Sequence, residues 1–434
     1  MSCSPHIFLS DLVSAIYFNR MQERSKRVLL ITGFIASVIA IGFAMYLVFF
    51  ASEQAPTPPG EKPTGVVPSG TLTPSQTGTP GAGGSAGTTG DGALPEASPV
   101  ASGGVTQTIA LTTGPVQNPT LSADGKSMNF YNKEDGYFYT IDKDGNIVKL
   151  STQAFPNVQT AAWNQNAEKA VLTFPDESKI VYNFETQTQI TLPKHWDDVE
   201  FSPTSDHLIA KSLALDPNNR WLVTSNDNGS NVTSIQALGD NADKVQVSWS
   251  PNDQVVAFAD TSSIVGNNTS SGFDTKVIYP VGKNQENFKG LVVEGFGFAS
   301  SWSPSGKTIL YSVYGDYSQG KPLLWLVDGT SANMGNNRHS LGVNTWVDKC
   351  TWSADTVVYC AVPQNLPDNA GLQRTLYANL PDTLFKIDLS SGRSSVVAIP
   401  QTETTMSNLS VSTDGSVLYY TDTFSGQLKL IKLK

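Results

Sequence analysis

Histidine is scarce in this chain. It occurs as His6, His195, His207 and His339, and no pair has an HxH or HExxH spacing. A zinc centre or histidine base therefore has no sequence support, and the four read as isolated polar residues. No G-x-S-x-G elbow occurs either, which sets aside a serine hydrolase of the α/β type. Basic excess is also missing: 28 Lys+Arg stand against 38 Asp+Glu, a net charge of −10. Nucleic acid and anionic lipid are poor partners for such a surface. Arginine downstream of residue 50 is limited to Arg220, Arg338, Arg374 and Arg393, and nothing in their spacing argues for an acid-binding cluster. No catalytic residue, metal ligand or cofactor is expected, and the chain reads as a non-enzyme.

Two further absences divide the chain. Residues 28–50, VLLITGFIASVIAIGFAMYLVFF, contain no charge. A membrane-spanning helix needs roughly 20 apolar residues, whereas a cleavable signal core has about 7–15 and ends at small residues. This run ends in Val48-Phe49-Phe50, so it reads as an uncleaved anchor. Arg20, Arg24, Lys26 and Arg27 precede it and only Lys62 follows within twenty residues, which places residues 1–27 in the cytoplasm and the rest outside. Residues 51–104 contain no aromatic side chain, and 21 of them are Pro or Gly. They have nothing to bury and read as a disordered linker with a reach of about 40 Å. Within the tail, IFLSDLVSAIYF (7–18) fits an amphipathic or docking segment, and Met21 fits equally well as the start. Ala36, Ala40 and Ala44 form a small-residue stripe, a feature of dimerising membrane helices that is also common in helices that do not dimerise.

The remainder, residues 105–434, is built on one repeated turn. SWSPSGKTILYS (301–312) has counterparts in LSADGKSMNF (121–130), WNQNAEKAVL (163–172), FSPTSDHLI (201–209), WSPNDQVVAF (249–258), WSADTVVYC (352–360) and VSTDGSVLY (411–419). Proline pre-sets the first corner and glycine accepts the left-handed position, so each copy is strand, tight turn, strand. The copies recur every 38–59 residues, the period of four-stranded propeller blades. The expected fold is all-β, a seven-bladed β-propeller preceded by one transmembrane helix and a linker. The last repeat stops after GQLKLIKLK, its third strand, while TQTIALTT (106–113) has no blade of its own. The N-terminal strand is expected to complete the last blade, because an open blade leaves an unpaired edge.

The W/F-S-P-x-G-K turn resembles the repeats of TolB-type propellers, relatives of WD-type repeats in bacterial envelope proteins. That resemblance covers about residues 106–434 and implies the propeller fold and an envelope setting. The additional N-terminal α/β domain of TolB is absent, and the anchored linker stands in its place.

DKDGN (142–146) begins like a calcium loop, but its glycine falls at the fourth position rather than the sixth, and a hairpin turn explains it better. Cys350 and Cys360 flank a turn on adjacent antiparallel strands. Outside the cell they read as a cross-strand disulfide, the alternative being two buried thiols. Three insertions break the regularity: SSIVGNNTSSGFD (262–274), YGDYSQGK (314–321) and PQNLPDNAGLQRTLYANLP (363–381). They belong to consecutive repeats and should crowd one sector of one face, where binding sites sit. Tyr314, Tyr317 and Tyr377 are the candidate contact residues. The expected role is non-catalytic binding of an envelope protein partner, with cell-wall glycan as the alternative ligand and a propeller hydrolase as a third reading. A broad mixed loop surface would favour protein, aromatic shelves glycan, and polar clusters in the channel an enzyme.

Overall fold

The computed structural model describes Phe34 and residues 36–41, 96–261, 275–377 and 379–434. Contacts divide the chain into two units, Met1–Thr88 and Thr89–Lys434. In the first, the described residues are helical and exposed. Among the described residues no helix is long and apolar enough to cross a membrane. The expected tail 1–27, most of the expected span 28–50 and linker residues 51–95 lie outside the described residues, as does insertion 262–274.

The second unit is a seven-bladed β-propeller. Seven sheets follow one another along the chain, and each blade is an antiparallel meander of four strands. Blade one is representative: Val116–Leu121, Met128–Asn132, Phe138–Ile141 and Ile147–Lys149. Its second strand is buried at Met128, Phe130 and Tyr131, while its fourth is exposed throughout. Apolar side chains therefore fill the gaps between blades rather than the blades themselves. Seven apolar clusters each join two neighbouring blades; the first couples Tyr131 and Phe138 of blade one to Leu172 and Tyr182 of blade two. Another couples Tyr419 and Leu430 of blade seven back to Met128 and Phe130 of blade one. The circle of contacts is closed.

The repeated turn works through its serine. Ser202, Ser250 and Ser303 are fully buried and Ser412 is 3% exposed. The hydroxyl accepts from the first amide of the next strand: Val255 N–H to Ser250 Oγ at 2.9 Å, Thr308 N–H to Ser303 Oγ at 3.2 Å, Val417 N–H to Ser412 Oγ at 3.1 Å. Asn164 does the same through Oδ1, taking Lys169 N–H at 3.0 Å. Three residues after the serine the backbone is left-handed at Gly125, Gly306 and Gly415, and Ala167 and Asp253 adopt the same conformation without glycine's freedom. Blade six departs: its first strand runs on to Ala354, and a two-residue turn replaces the longer one.

The chain's N-terminal lead-in closes the ring twice. Ile109–Ala110 pairs antiparallel with the third strand of blade seven, Ile109 opposite Leu430 and Ala110 opposite Lys429. This is the completion that the missing fourth strand implies. A second pairing was not legible in the sequence. Val105–Thr106 runs parallel to blade six as its fifth strand, opposite Ile399 and Pro400. Ala101 N–H also donates to the Lys432 carbonyl at 2.8 Å.

Candidate functional site

The connections between second and third strands, together with those between blades, share one face of the ring. Both described insertions are on it. The blade-five insertion turns through a short 3₁₀ segment, Asp316–Ser318, and the blade-six insertion carries a helical turn, Arg374–Tyr377. The two are bonded to each other. Asn369 N–H donates to the Gln319 carbonyl and Gly371 N–H to the Gly320 carbonyl, both at 2.8 Å. Lys321 pairs with Asp368 at 3.1 Å. A Cβ at Gly371 would lie 2.4 Å from the Tyr314 ring, so only glycine lets the two loops approach this closely. Beneath the helical turn, Trp346, Leu366 and Ala370 form a small core against Tyr377 and Leu380. Arg374 lies over the Trp346 ring at 5.5 Å and pairs with Asp348.

The three tyrosines expected as contacts are all half-buried parts of this platform. Tyr317 donates to the Glu294 carbonyl at 2.7 Å and meets Trp325 edge-on at 5.8 Å; its burial pushes the phenol pKa up to about 12. Tyr314 is wedged beside Gly297 and Gly371. Tyr377 lies apart from both, in the small core. The exposed apolar side chains are others: Leu372 at 63%, Leu376 at 71%, and Phe424 at 86% in the neighbouring turn of blade seven. Periodicity gave no signal for them, because in a single turn of helix solvent-facing and core-facing leucines look alike.

Cys350 and Cys360 are direct cross-strand partners in blade six, with Cα atoms 4.0 Å apart, and form a disulfide. DKDGN is a turn: Asp142 caps it by accepting from the Asp144 and Asn146 amides, both at 2.9 Å. Among the described residues no group of three or more His, Cys, Asp or Glu is arranged to hold a metal ion.

The same face opens into a polar channel mouth centred on blade three, which sequence reading missed. Three adjoining cavities, of about 410, 450 and 630 Å³, share walls at Asp197, Asp198, Lys211 and Asp243. Their centre is the inner strand of blade three, Trp196–Phe201. Between Asp197 and Glu200 that strand bulges, with Asp198 left-handed at φ 53°. A bulge re-aims side chains toward one side of a sheet. Asp198 pairs with Lys211 at 3.0 Å. Glu200 lines the 410 Å³ cavity, and its carboxyl has no hydrogen-bond or ion-pair partner among the described residues. Burial first, and then the negative charge of Asp198, push its pKa up to about 8 against the pull of Lys211. A fourth cavity, of about 490 Å³, sits between the outer strands of blades three and four; among the described residues that line it, the one charged side chain, Glu286, is already engaged by Asn284.

No family model matches the sequence, and no curated protein matches it. Solved structures do. An oligogalacturonate lyase in complex with manganese is similar over 75% of this chain and 93% of that one, at 12% identity and a TM-score of 0.53. An oligogalacturonate lyase from Vibrio parahaemolyticus is similar over the same shares, at 12% identity and a TM-score of 0.52. At this identity the likeness is one of fold. Both neighbours are nevertheless enzymes, and this overturns the expectation that the chain is a non-enzyme. That expectation rested on missing histidine and serine motifs. Function resides in sites grafted onto a fold, so missing histidine and serine motifs do not exclude an enzyme.

Proposed function

We propose that the chain is a single-pass membrane protein whose propeller stands outside the lipid on residues 51–104 and docks an envelope protein through the platform of blades five and six. The uncharged run 28–50 and the basic residues before it support the anchor and its orientation. The resemblance of the repeated turn to TolB-type propellers supports the envelope setting. The observation that carries the docking reading is the platform itself: two insertions braced against each other, presenting Leu372 and Leu376 to solvent with Phe424 on the same face. Exposed apolar side chains on a rigid mixed surface are a feature of protein interfaces.

The test is capture by the full-length protein from native envelope extract, followed by rebinding of the identified polypeptide in purified form. A Leu372→Asp/Leu376→Asp double variant is expected to weaken that rebinding at least tenfold while melting as the parent does. Equal rebinding by parent and variant would remove the platform from consideration. Orientation is checked separately: a membrane-impermeant lysine reagent applied to intact cells should modify Lys386 and Lys432, which the reading places outside.

A further inference from the structure

The channel mouth lies apart from the platform, and its chemistry points to a different kind of ligand. The cavity at Glu200 has a volume of about 410 Å³, within the range of small-molecule sites. Its walls come from three blades. Asn118 and Glu200 belong to the inner strands of blades one and three, and Gln159 and Thr160 to the start of blade two. Amides, a hydroxyl and a carboxyl each offer both donors and acceptors when the carboxyl is protonated. Alcohol groups have the same dual character, so a polyol can satisfy such walls pairwise.

The charges around Glu200 narrow the choice. On its own strand are Asp197 and Asp198; facing them are Lys211 from the second strand of blade three and Lys179 from blade two. Lys211 is committed to Asp198, and Lys179 donates to the Glu177 carbonyl at 3.1 Å. Across the shared walls, Asp260 is paired with Lys276 at 2.6 Å, and Asp243 and Lys244 sit side by side in sequence. Lys179 is 4% exposed, so its ammonium is shielded rather than offered to a ligand, and the exposed uncommitted charge nearest Glu200 is the carboxylate of Asp197. On the far side of Asp198 the 450 Å³ cavity is walled by Phe298, a half-buried ring of the kind on which sugar C–H faces pack.

We propose that the channel mouth centred on blade three binds a short, uncharged, hydroxyl-rich ligand of the saccharide class, with Glu200 as its central hydrogen-bonding group. The protonated carboxyl donates to one ligand hydroxyl and accepts from another. Once ionised, it can only accept, and it then repels the ligand's acceptor oxygens. The pKa of about 8 keeps the donor form in place at neutral pH. This site excludes polyuronates, the class named for the lyases of similar fold, by like-charge repulsion. It stands or falls independently of the platform.

The experiment is calorimetric titration of the full-length protein in a sugar-free zwitterionic detergent. The probes are cellotetraose, maltotetraose, tetra-N-acetylchitotetraose and tetragalacturonate. At least one uncharged tetrasaccharide is expected to bind at one to one, with tetragalacturonate at least tenfold weaker. Binding should fall about tenfold between about pH 6 and about pH 9, roughly the worth of one hydrogen bond, about 1.4 kcal/mol. Glu200→Gln, whose amide still donates, should keep the binding and lose the pH dependence. Glu200→Ala should bind about tenfold more weakly at pH 6. The proposal is overturned if no uncharged tetrasaccharide saturates the protein, if tetragalacturonate binds best, if Glu200→Ala binds as the parent does, or if Glu200→Gln retains the parental pH dependence.

Discussion

Lys349 and Asp382 in blade six are 7% and 0% exposed and meet at 2.6 Å. Asp198 and Lys211 in blade three meet at 3.0 Å but remain 40% and 11% exposed on a cavity wall. The first pair is sealed into structure. Asp382 also accepts from the Met406 amide at 2.7 Å and so ties blade six to the inner strand of blade seven. The second pair borders space. Around the first are a disulfide, the N-terminal strands and the bonded insertions; around the second are three cavities and an unpartnered carboxyl. One fold thus carries a braced half and an open half. The braced half closes its polar groups into pairs, and the open half leaves a half-buried acid, Glu200, on a cavity wall.

The sharpest way to break this contrast is Lys349→Met. It strands the buried Asp382 carboxyl, whose pKa burial already raises, and is expected to cost about 3–5 kcal/mol in denaturant unfolding. The double variant Lys349→Met/Asp382→Leu should recover most of that loss, whereas an equal loss in the double would show that packing rather than charge is at stake. Replacing both Cys350 and Cys360 with serine opens a cross-link spanning 10 residues and should cost about 2–3 kcal/mol, measured against the reduced and oxidised parent. Gly371→Ala should cost about 1–2 kcal/mol by driving a methyl into Tyr314, and limited proteolysis should then cut within 363–381 at a higher rate.

The remaining effect belongs to the open half and is set by pH. Glu200 binds its proton more tightly when folded, so its contribution to stability is lost as pH rises from its ordinary 4.5 to about 8. Glu200→Gln should therefore melt close to the parent near pH 4. It should melt progressively above the parent as pH rises, by a gap that levels off beyond about 8. A gap of opposite sign would mean that Glu200 is held as a carboxylate.

The braced half was more legible in the sequence than the open one. Ser-Pro-x-Gly turns are local, so the hairpins at Ser303 and Ser412 could be read directly, and a missing last strand implied the pairing of Ile109–Ala110 with Leu428–Lys432. The fifth strand at Val105–Thr106 was invisible, because two residues carry no periodicity. The channel mouth was invisible for another reason. Asn118, Lys179, Glu200 and Asp260 are scattered over four blades, and only ring closure brings their neighbourhoods to one opening. The bulge at Asp198 that turns this strand into a site leaves no signature beyond an aspartate among strand formers.

The double pairing of residues 98–110 has a mechanical reading. The strands that seal the wheel are also its lead-in, so tension arriving from upstream passes into them before it reaches any blade. Two residues beside Ile399–Pro400 and two beside Lys429–Leu430 share that load in shear. A pull strong enough to free Ile109–Ala110 would leave the third strand of blade seven as an unpaired edge.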